Sequence, residues 1–179
     1  KVQRNCRLDR EERMNKETFY SYLGRFLAFP MVADTIIKLA KRRVYNHIHN
    51  GAYMERYWLL REGSWLSRTL GIAIRLHVIN SNDGDRAMHT HPFKFRTFIL
   101  KGGYWERRRY DDFGYDVGIE RVPGDTYEMD IKDAHQIYRL LDGPTTTLFI
   151  YGARKDDWYF ETEHGMIPHE QYLKTNGGY

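Results

Sequence analysis

The spacing of apolar residues changes near Gly51, and this change constrains the fold more than any other feature of the chain. Before it, over residues 19–27, apolar side chains recur every three or four positions, as in an amphipathic helix. After it, over residues 72–78, they alternate with other residues, as in a strand with one buried face. We therefore predict an N-terminal helical segment, residues 1–50, followed by an all-β domain, residues 51–179.

Pro30 divides the helical segment into two helices. Proline lacks an amide donor and disfavours helical geometry in the preceding residue, Phe29. A second helix is predicted over residues 31–45, where three basic residues at 41–43 complement the negative end of the helix dipole. We expect these helices to pack on the outside of the β domain or against a partner chain, in which case the protein forms a homodimer.

Short alternating segments separated by turn sequences follow Gly51. The turns are rich in Gly, Asp, Asn and Pro, the residues that favour tight changes of direction. Seven or eight short strands with regular turns favour an antiparallel sandwich or barrel over a parallel sheet. The predicted strands cover residues 53–60, 72–78, 95–101, 104–110, 115–122, 134–141, 145–151 and 158–161.

Composition is typical of a packed globular protein. Hydrophobic residues make up 41% of the chain, which contains 14 Tyr, 9 Phe and 4 Trp. The single cysteine, Cys6, excludes an intramolecular disulfide framework and fits a reducing compartment. The longest apolar runs, such as residues 147–151, are too short to span a bilayer, and no signal-peptide pattern opens the sequence. We therefore expect a cytoplasmic protein without a membrane segment.

Positive charge is in modest excess, with a formal net charge of +4. Acidic and basic residues are well mixed, so ordinary solvated surfaces are the simpler interpretation. Two concentrations of arginine leave nucleic-acid contact open as an alternative. They are Arg4, Arg7, Arg10 and Arg13, which would form a stripe on a helix, and Arg107, Arg108 and Arg109.

The pair His89 and His91 is the strongest local signal for chemistry. Residues two apart on a strand project from the same face, so both imidazoles can reach one metal ion. Imidazole nitrogen suits Zn, Fe, Cu and Ni. A second pair of the same spacing, His47 and His49, is flanked by asparagines outside any strand pattern, and we interpret it as a solvated helix end.

The surroundings of His89 and His91 resemble the two motifs of the cupin superfamily. The first is G-x5-H-x-H-x3,4-E-x6-G and the second is G-x5-P-x-G-x2-H-x3-N, although here the last interval before the second-motif histidine is longer. The resemblance spans residues 53–161, and it also extends to a set of bacterial and phage cupins that share local runs at residues 89–95, 99–104 and 158–160. The matching positions are Gly84, His89, His91, Gly103, Gly118, Pro123, Gly124 and His135.

The resemblance implies an antiparallel cupin, or jelly-roll, β-barrel with one metal ion on His89, His91 and His135. Where the first motif has a glutamate ligand, this chain has Arg96, whose guanidinium offers donors and no lone pair. The remaining three-histidine set is similar to the iron centre of thiol dioxygenases. Fe(II) is the metal that this similarity implies, with Zn, Ni and Mn as alternatives.

Four further residues are candidates for substrate contact. Arg96 could pair with a substrate carboxylate or phosphate, or it could support the barrel through an acid or backbone carbonyls. Arg139, four residues after His135, could line the cavity mouth by strand alternation, or could lie at a solvated strand end. Tyr104 could orient a ligand, and Tyr151 could do the same, although tyrosines of this kind are commonly packing residues.

Several other polar residues have a structural interpretation. Asp133 could accept a hydrogen bond from His135 or could cap the turn before the strand. His77 is expected at the surface or in a hydrogen bond rather than as a fourth ligand. His164 and His169 are expected to be solvated in a terminal loop.

These observations lead to one function and two alternatives. The first is a mononuclear metal-dependent oxidoreductase, a non-haem Fe(II) dioxygenase acting on a small anionic or thiol-bearing substrate. The second is a non-catalytic metal- or ligand-binding module. The third is a metal-independent sugar epimerase or isomerase, in which a histidine and a tyrosine act as base and acid. Metal content separates the third from the first two, and oxygen uptake separates the first from the second.

Overall fold

Two antiparallel sheets form the core of the molecule. The computed structural model of the chain describes residues 2–42, 53–84, 86–110 and 115–176. The five-stranded sheet contains, in spatial order, β1 (Met54–Leu60), β2 (Ala73–Ile79), β9 (Thr145–Tyr151), β4 (Phe95–Lys101) and β7 (Thr126–Met129). The six-stranded sheet contains β11 (Gly165–Pro168), β10 (Tyr159–Thr162), β3 (Met88–His89), β8 (His135–Leu140), β5 (Tyr104–Tyr110) and β6 (Tyr115–Arg121).

The predicted all-β core is confirmed, since every pairing between these strands is antiparallel. Side chains from both sheets meet in one buried cluster inside the barrel. The predicted strands at 95–101, 104–110 and 145–151 have the bounds that the structure gives them. The short strands β3, β7 and β11 were not among the predicted strands. The cluster contains Ala73, Ile79, Phe95, Ile99, Tyr104, Tyr127, Met129, Ile137, Phe149 and Tyr151.

Four helices accompany the sheets in the part of the chain that the structure describes. They are α1 (Val2–Leu27), α2 (Pro30–Arg42), α3 (Trp65–Leu70) and α4 (His169–Asn176). Pro30 is the first residue of α2, where the missing amide donor has no helical partner to lose. The two short helices α3 and α4 were not predicted. Among the described residues, no helix is long and apolar enough to cross a membrane.

Helices α1 and α2 cover the outer face of the five-stranded sheet, as predicted. The apolar residues of β2 that alternate with polar ones, Ile74, Leu76 and Val78, therefore pack under helices. The opposite residues of β2, including Arg75 and His77, project into the barrel. Both faces of this strand are thus covered, whereas the sequence pattern had indicated only one buried face.

A close backbone approach joins α1 to the barrel. A Cβ atom added to Gly24 would lie 2.4 Å from the carbonyl oxygen of Gly124, so only glycine fits at this position of the helix. Gly124 itself adopts a φ of 97° in the turn before β7. The glycine of the second cupin motif therefore forms the turn against which α1 packs.

Part of the apolar stripe on α1 remains exposed. Leu23 and Leu27 pack against the sheet. In contrast, Phe19, Tyr22 and Phe26 are 61%, 68% and 61% exposed. The predicted stripe is therefore wider than the face that the sheet covers, and the homodimer stays a prediction.

Candidate metal centre

His89, His91 and His135 converge inside the barrel. The three ring centroids lie 5.1 Å from one another, and one ligand atom from each ring lies within 4.8 Å of the other two. His89 and His135 face each other because their strands, β3 and β8, pair at these residues. The Nε2 atoms of His91 and His135 are 2.9 Å apart. The predicted convergence of the three histidines is confirmed.

Thr90 holds the two histidines of the first motif on one side of the chain. Its amide donates to the carbonyl of Tyr159 at 2.9 Å, and its hydroxyl accepts from the Tyr159 amide at 3.0 Å. The side chain of Thr90 is buried, with 2% exposure. Because Thr90 is fixed towards β10, His89 and His91 are both free to face the cavity.

A buried carboxylate orients His135 from behind. Nδ1 of His135 lies 2.7 Å from Oε1 of Glu106, which has no exposed surface. Hydrogen bonding at Nδ1 leaves Nε2 of the imidazole directed at the other two histidines. Asp133 does not perform this function, because its carboxylate accepts from the Asp130 amide at 2.8 Å and caps the turn before β8.

Glu106 was missed in the sequence because it lies in the highly charged strand β5, where nothing distinguishes it from its arginine neighbours. Its carboxylate is 2.8 Å from Nη2 of Arg121 and 3.1 Å from Nε of Arg108. Burial alone would raise the pKa of Glu106. The hydrogen bond with His135 and the two arginine charges outweigh that effect and lower the pKa to about 2. Glu106 is therefore ionised at neutral pH.

Two of the candidate ligands are neutral at physiological pH. Burial lowers the pKa of His89 to about 4, with the charges of His135 and nearby arginines adding to the effect. Burial also lowers the pKa of His91 well below its usual range. A neutral imidazole has the free lone pair that a metal ion requires, so both rings are in the state needed for coordination.

The three residues fit a divalent transition metal. Two nitrogens bound to one ion at about 2.1 Å and at right angles would be about 3 Å apart, close to the 2.9 Å between His91 and His135. Three imidazole ligands suit Zn, Fe, Ni or Cu better than Mg or Ca. No carboxylate joins the cluster among the described residues, in agreement with the loss of the motif glutamate.

The histidines line a cavity of about 680 Å³. Aromatic rings form much of its wall, and several of them contact one another, such as Phe95 with Phe149 at 4.5 Å. The cavity also contains more basic than acidic side chains. Its basic residues besides histidine are Arg56, Arg75, Arg86 and Arg154, and its acids are Asp83 and Glu170.

Arg96 lies outside this cavity, so the prediction that it faces substrate is wrong. It projects from the outer face of β4 beneath α1, where Nη2 contacts Glu17 at 2.6 Å and Glu128 at 3.4 Å. Its guanidinium also lies 4.0 Å from the ring centre of Tyr20. Arg96 does share a face of β4 with Phe98 and Leu100, as the alternation predicted. That face packs under the helices and does not point into the barrel. The alternative prediction of an acidic partner is confirmed.

Arg139 also lies outside the cavity, and the physical reason is a β-bulge. Glu106 pairs with Ile137, whereas Trp105 pairs with Arg139, so Tyr138 is an extra residue in β8. The bulge reverses the alternation that would have placed Arg139 on the face of His135. Arg139 is exposed instead, with its guanidinium 5.9 Å from the ring centre of Trp105.

Tyr104 does line the cavity, as predicted, but its hydroxyl already has a partner. It lies 2.7 Å from the hydroxyl of Tyr127, and its side chain is 1% exposed. Burial, together with Tyr127 and Glu106, raises the pKa of Tyr104 well above its usual range. Tyr151 is likewise engaged, since its hydroxyl donates to Glu62 at 2.9 Å. A catalytic role for Tyr104 stays a prediction.

Two further histidines lie closer to the cavity than predicted. His77 is buried, lines the cavity and stacks on Phe149 with 4.7 Å between ring centres. His169 also lines the cavity, at the start of α4, and its ring is 4.7 Å from that of Trp158. Of the histidines that the structure describes, only His164 is exposed, as expected. His77 is therefore not a surface residue, although it stands outside the three-histidine cluster as expected, and His169 begins a helix rather than lying in a solvated loop.

The arginines singled out for nucleic-acid contact divide into two groups. In the second group, Arg109 pairs with Glu161, Arg108 contacts Glu106 inside the barrel and Arg107 lies over Tyr138. These side chains serve contacts within the molecule. In the first group, the side chains at positions 4, 7 and 10 lie outside the described residues, as does the His47 and His49 pair.

Comparison with solved structures identifies the fold. Procruciferin, an 11S globulin from Brassica napus, superposes with a TM-score of 0.53 and 8% identity over 78% of this chain and 37% of the other. A mutant of oxalate decarboxylase from Bacillus subtilis gives 0.51 and 16% identity over 73% of this chain and 31% of the other. The match thus spans about a third of each of these proteins.

Comparison of the sequence alone gives a different result. No protein-family model matches the chain, and no curated protein matches it either. The assignment therefore depends on strand order, on the position of the histidines within the barrel and on the structural neighbours. Taken together, these observations show that the chain has the cupin fold, an antiparallel jelly-roll barrel preceded by helices, with a three-histidine cluster inside it.

Proposed function

We propose that the protein is a mononuclear metal-dependent oxidoreductase whose ion is held by His89, His91 and His135. The observation that carries this proposal is the convergence of three imidazoles, 5.1 Å apart, on the wall of an internal cavity. Three protein ligands leave coordination positions open, as catalytic sites require and structural sites do not. The open positions would face the space where a substrate fits.

Iron is the metal that we propose, by similarity to three-histidine dioxygenases. Fe(II) bound there would supply redox chemistry with dioxygen in the positions that the histidines leave open. The protein's contribution is to position these groups. Glu106 fixes the ring of His135, and Thr90 fixes the direction of His89 and His91. The aromatic wall excludes water from the reacting groups.

The charge distribution supports a small anionic substrate. Four arginines line the cavity beside the three histidines, and a bound divalent ion would add further positive charge. Of the two lining acids, Asp83 is committed to the barrel, because it accepts from the Ile137 amide at 2.6 Å and from the Tyr53 hydroxyl. A substrate carboxylate or thiolate would offset the remaining positive charge.

The test is metal analysis of protein purified without oxygen, followed by oxygen uptake with small carboxylates and thiols. Wild-type protein is expected to contain about one equivalent of metal per chain. His91→Ala and His135→Ala should lose most of it. His164→Ala, an exposed histidine far from the cluster in sequence, is the matched control and should retain it.

Each alternative function has its own outcome in this test. Metal binding with no oxygen uptake for any substrate would indicate a metal-binding module. Protein without metal that converts a sugar substrate would indicate a metal-independent epimerase or isomerase. Full metal occupancy in the His91→Ala variant would refute the proposed centre.

A further inference from the structure

A second polar feature of the cavity lies away from the three metal ligands. His77 is 9% exposed and lines the cavity from β2. Its Nε2 atom is buried without a hydrogen-bond partner among the described residues. Buried polar atoms are nearly always paired, so an unpaired nitrogen on the wall of a cavity is available to a molecule that enters it, whether water or a ligand.

Arg56 lies beside His77 on the same wall. The two residues are paired across β1 and β2, which places their side chains next to each other on the inner face. The described contact of Arg56 is weak, from Nε to the sulfur of Met54 at 3.4 Å. Within residues 53–84, 86–110 and 115–176, no carboxylate pairs with this guanidinium.

The other three arginines of the cavity have described contacts of their own. Arg86 lies over Tyr53, with 4.9 Å between the guanidinium carbon and the ring centre. Arg75 contacts Glu62 at 3.3 Å and stacks on Trp58, with 4.0 Å between the guanidinium carbon and the ring centre. Arg154 pairs with Asp157. Arg56 and His77 thus present hydrogen-bond donors to the cavity without a balancing acid, a combination that suits an oxyanion.

Phe149 connects this pair to the metal ligands. Its ring stacks on His77 at 4.7 Å and lies 6.3 Å from the ring of His91. Phe93 lies 6.0 Å from Phe149 and 6.1 Å from His91, and it widens the apolar surface between the two polar groups. A single small molecule could therefore contact both ends of this surface.

We propose that Arg56 and His77 bind the carboxylate of a substrate whose apolar body lies against Phe149 and Phe93. Arg56 supplies the charge and a bidentate fork, and His77 supplies a neutral N–H donor from Nε2. The substrate class is then a small carboxylic acid with an apolar or aromatic body. This inference rests on the proposed function for the reaction, but the binding subsite itself does not require a metal.

Calorimetric titration of the metal-free and Zn(II)-loaded proteins tests the subsite. The probes are benzoate and 3-phenylpropanoate, each compared with its neutral amide, which has a similar shape and no charge. Wild-type protein is expected to bind at least one carboxylate about tenfold more tightly than its amide, since charged hydrogen bonds of this kind contribute at that level.

The variants are Arg56→Gln, His77→Phe and the control Arg139→Gln. Arg56→Gln should weaken carboxylate binding about 10- to 100-fold and leave the amide unchanged. His77→Phe keeps a ring against Phe149 and removes the donor, so a loss of about tenfold is expected. Arg139→Gln removes an exposed charge outside the cavity and should bind like wild type. Thermal melting of each variant establishes that it is folded, and His77→Leu, which also removes the donor, replaces His77→Phe if that variant is not.

The outcomes separate this inference from the proposed function. Discrimination between carboxylate and amide that persists without metal supports the subsite even if no metal enzyme is found. If the histidines bind metal but the protein binds carboxylate and amide with equal affinity, the subsite is refuted and the metal centre is not. The same conclusion follows if Arg56→Gln shows no loss of carboxylate affinity. No binding of either carboxylate, or an equal loss in Arg139→Gln, also overturns it.

Discussion

Glu106 lies 2.7 Å from Nδ1 of His135, and the same carboxylate contacts Arg121 at 2.8 Å. The pair connects the candidate metal centre to the charge network of the six-stranded sheet. A carboxylate behind a histidine ligand fixes the ring orientation and raises the basicity of the opposite nitrogen. The position of Glu106 should therefore affect both metal affinity and stability.

Replacing Glu106 with glutamine tests this dual dependence. Metal affinity should fall about tenfold, because the amide holds His135 without a negative charge. The free energy of unfolding should also fall by about 3 kcal/mol, because Arg108 and Arg121 lose their buried counter-charge. Chelator competition measures the first effect and urea denaturation measures the second. The exposed Glu120→Gln on β6 is the control, and equal losses in both variants would contradict the role of Glu106.

Stability of the metal-free protein should depend on pH between about 4 and 6.5. The pKa of His89 is about 4 in the folded protein, against 6.5 for the unperturbed group. Its contribution to stability is fully present above pH 6.5 and is lost as the pH falls towards 4, because the unfolded chain takes up a proton that the folded protein does not. Each such histidine contributes a slope of about 1.4 kcal/mol per pH unit.

Urea denaturation at intervals from pH 7 to 4.5 measures this slope. His91, whose pKa is also lowered, should add to it. In the His89→Gln variant this slope should be smaller by about 1.4 kcal/mol per pH unit, the contribution of one histidine. A stability that stays constant over this range in the wild-type protein would contradict the buried, neutral state of both rings.

Arg96 should affect stability and not metal binding. Its side chain is 7% exposed and contacts Glu17 at 2.6 Å, so Arg96→Met should lower the free energy of unfolding by about 2 kcal/mol. Lys94→Met is the matched control, because Lys94 contacts Glu128 at 2.6 Å but is 47% exposed, and a loss below about 1 kcal/mol is expected. A change in metal affinity in Arg96→Met would place this residue back in the cavity.

Gly24 should not tolerate alanine, although alanine favours helices. The added Cβ would lie 2.4 Å from the carbonyl oxygen of Gly124, and α1 would have to move away from the sheet. The net loss in the free energy of unfolding should be about 1–3 kcal/mol, in spite of a gain of about 1 kcal/mol in helix propensity. Thr18→Ala, on the exposed face of α1, should stay within about 0.5 kcal/mol of wild type. Equal melting temperatures for the Gly24→Ala variant and wild type would refute the close contact.

The strands and the three histidines could be predicted from the sequence, because both depend on local spacing. Alternation identified β4, β5 and β9 with their observed bounds, and the H-x-H spacing identified His89 and His91. His135 followed from the resemblance to the second cupin motif. In each of these cases the deciding information lies within a few residues of the chain.

The direction in which each face points could not be predicted in the same way. Arg96 shares its face of β4 with apolar residues that pack under the helices. Its own contact on α1, Glu17, is about eighty positions away in the sequence. The predicted position of Arg139 was wrong because the sequence of β8 does not reveal the bulge at Tyr138. The sequence indicates a surface or hydrogen-bonded role for His77, because His77 alternates with apolar neighbours, and these neighbours face the helices in the structure. Long-range packing decided all three.

The helical layer outside the five-stranded sheet has a consequence for how the chain can change. In β2, in β4 as far as Ile99 and in β9, the odd-numbered residues face the inside of the barrel and the even-numbered residues face away from it, as His77 and Leu76, Thr97 and Phe98, and Phe149 and Leu148 illustrate. Residues that can contact a ligand and residues that pack against the helices therefore alternate along the same three strands. Substitutions at odd positions can alter what the cavity accepts while the even positions keep the helices in place, so specificity and scaffold can diverge independently.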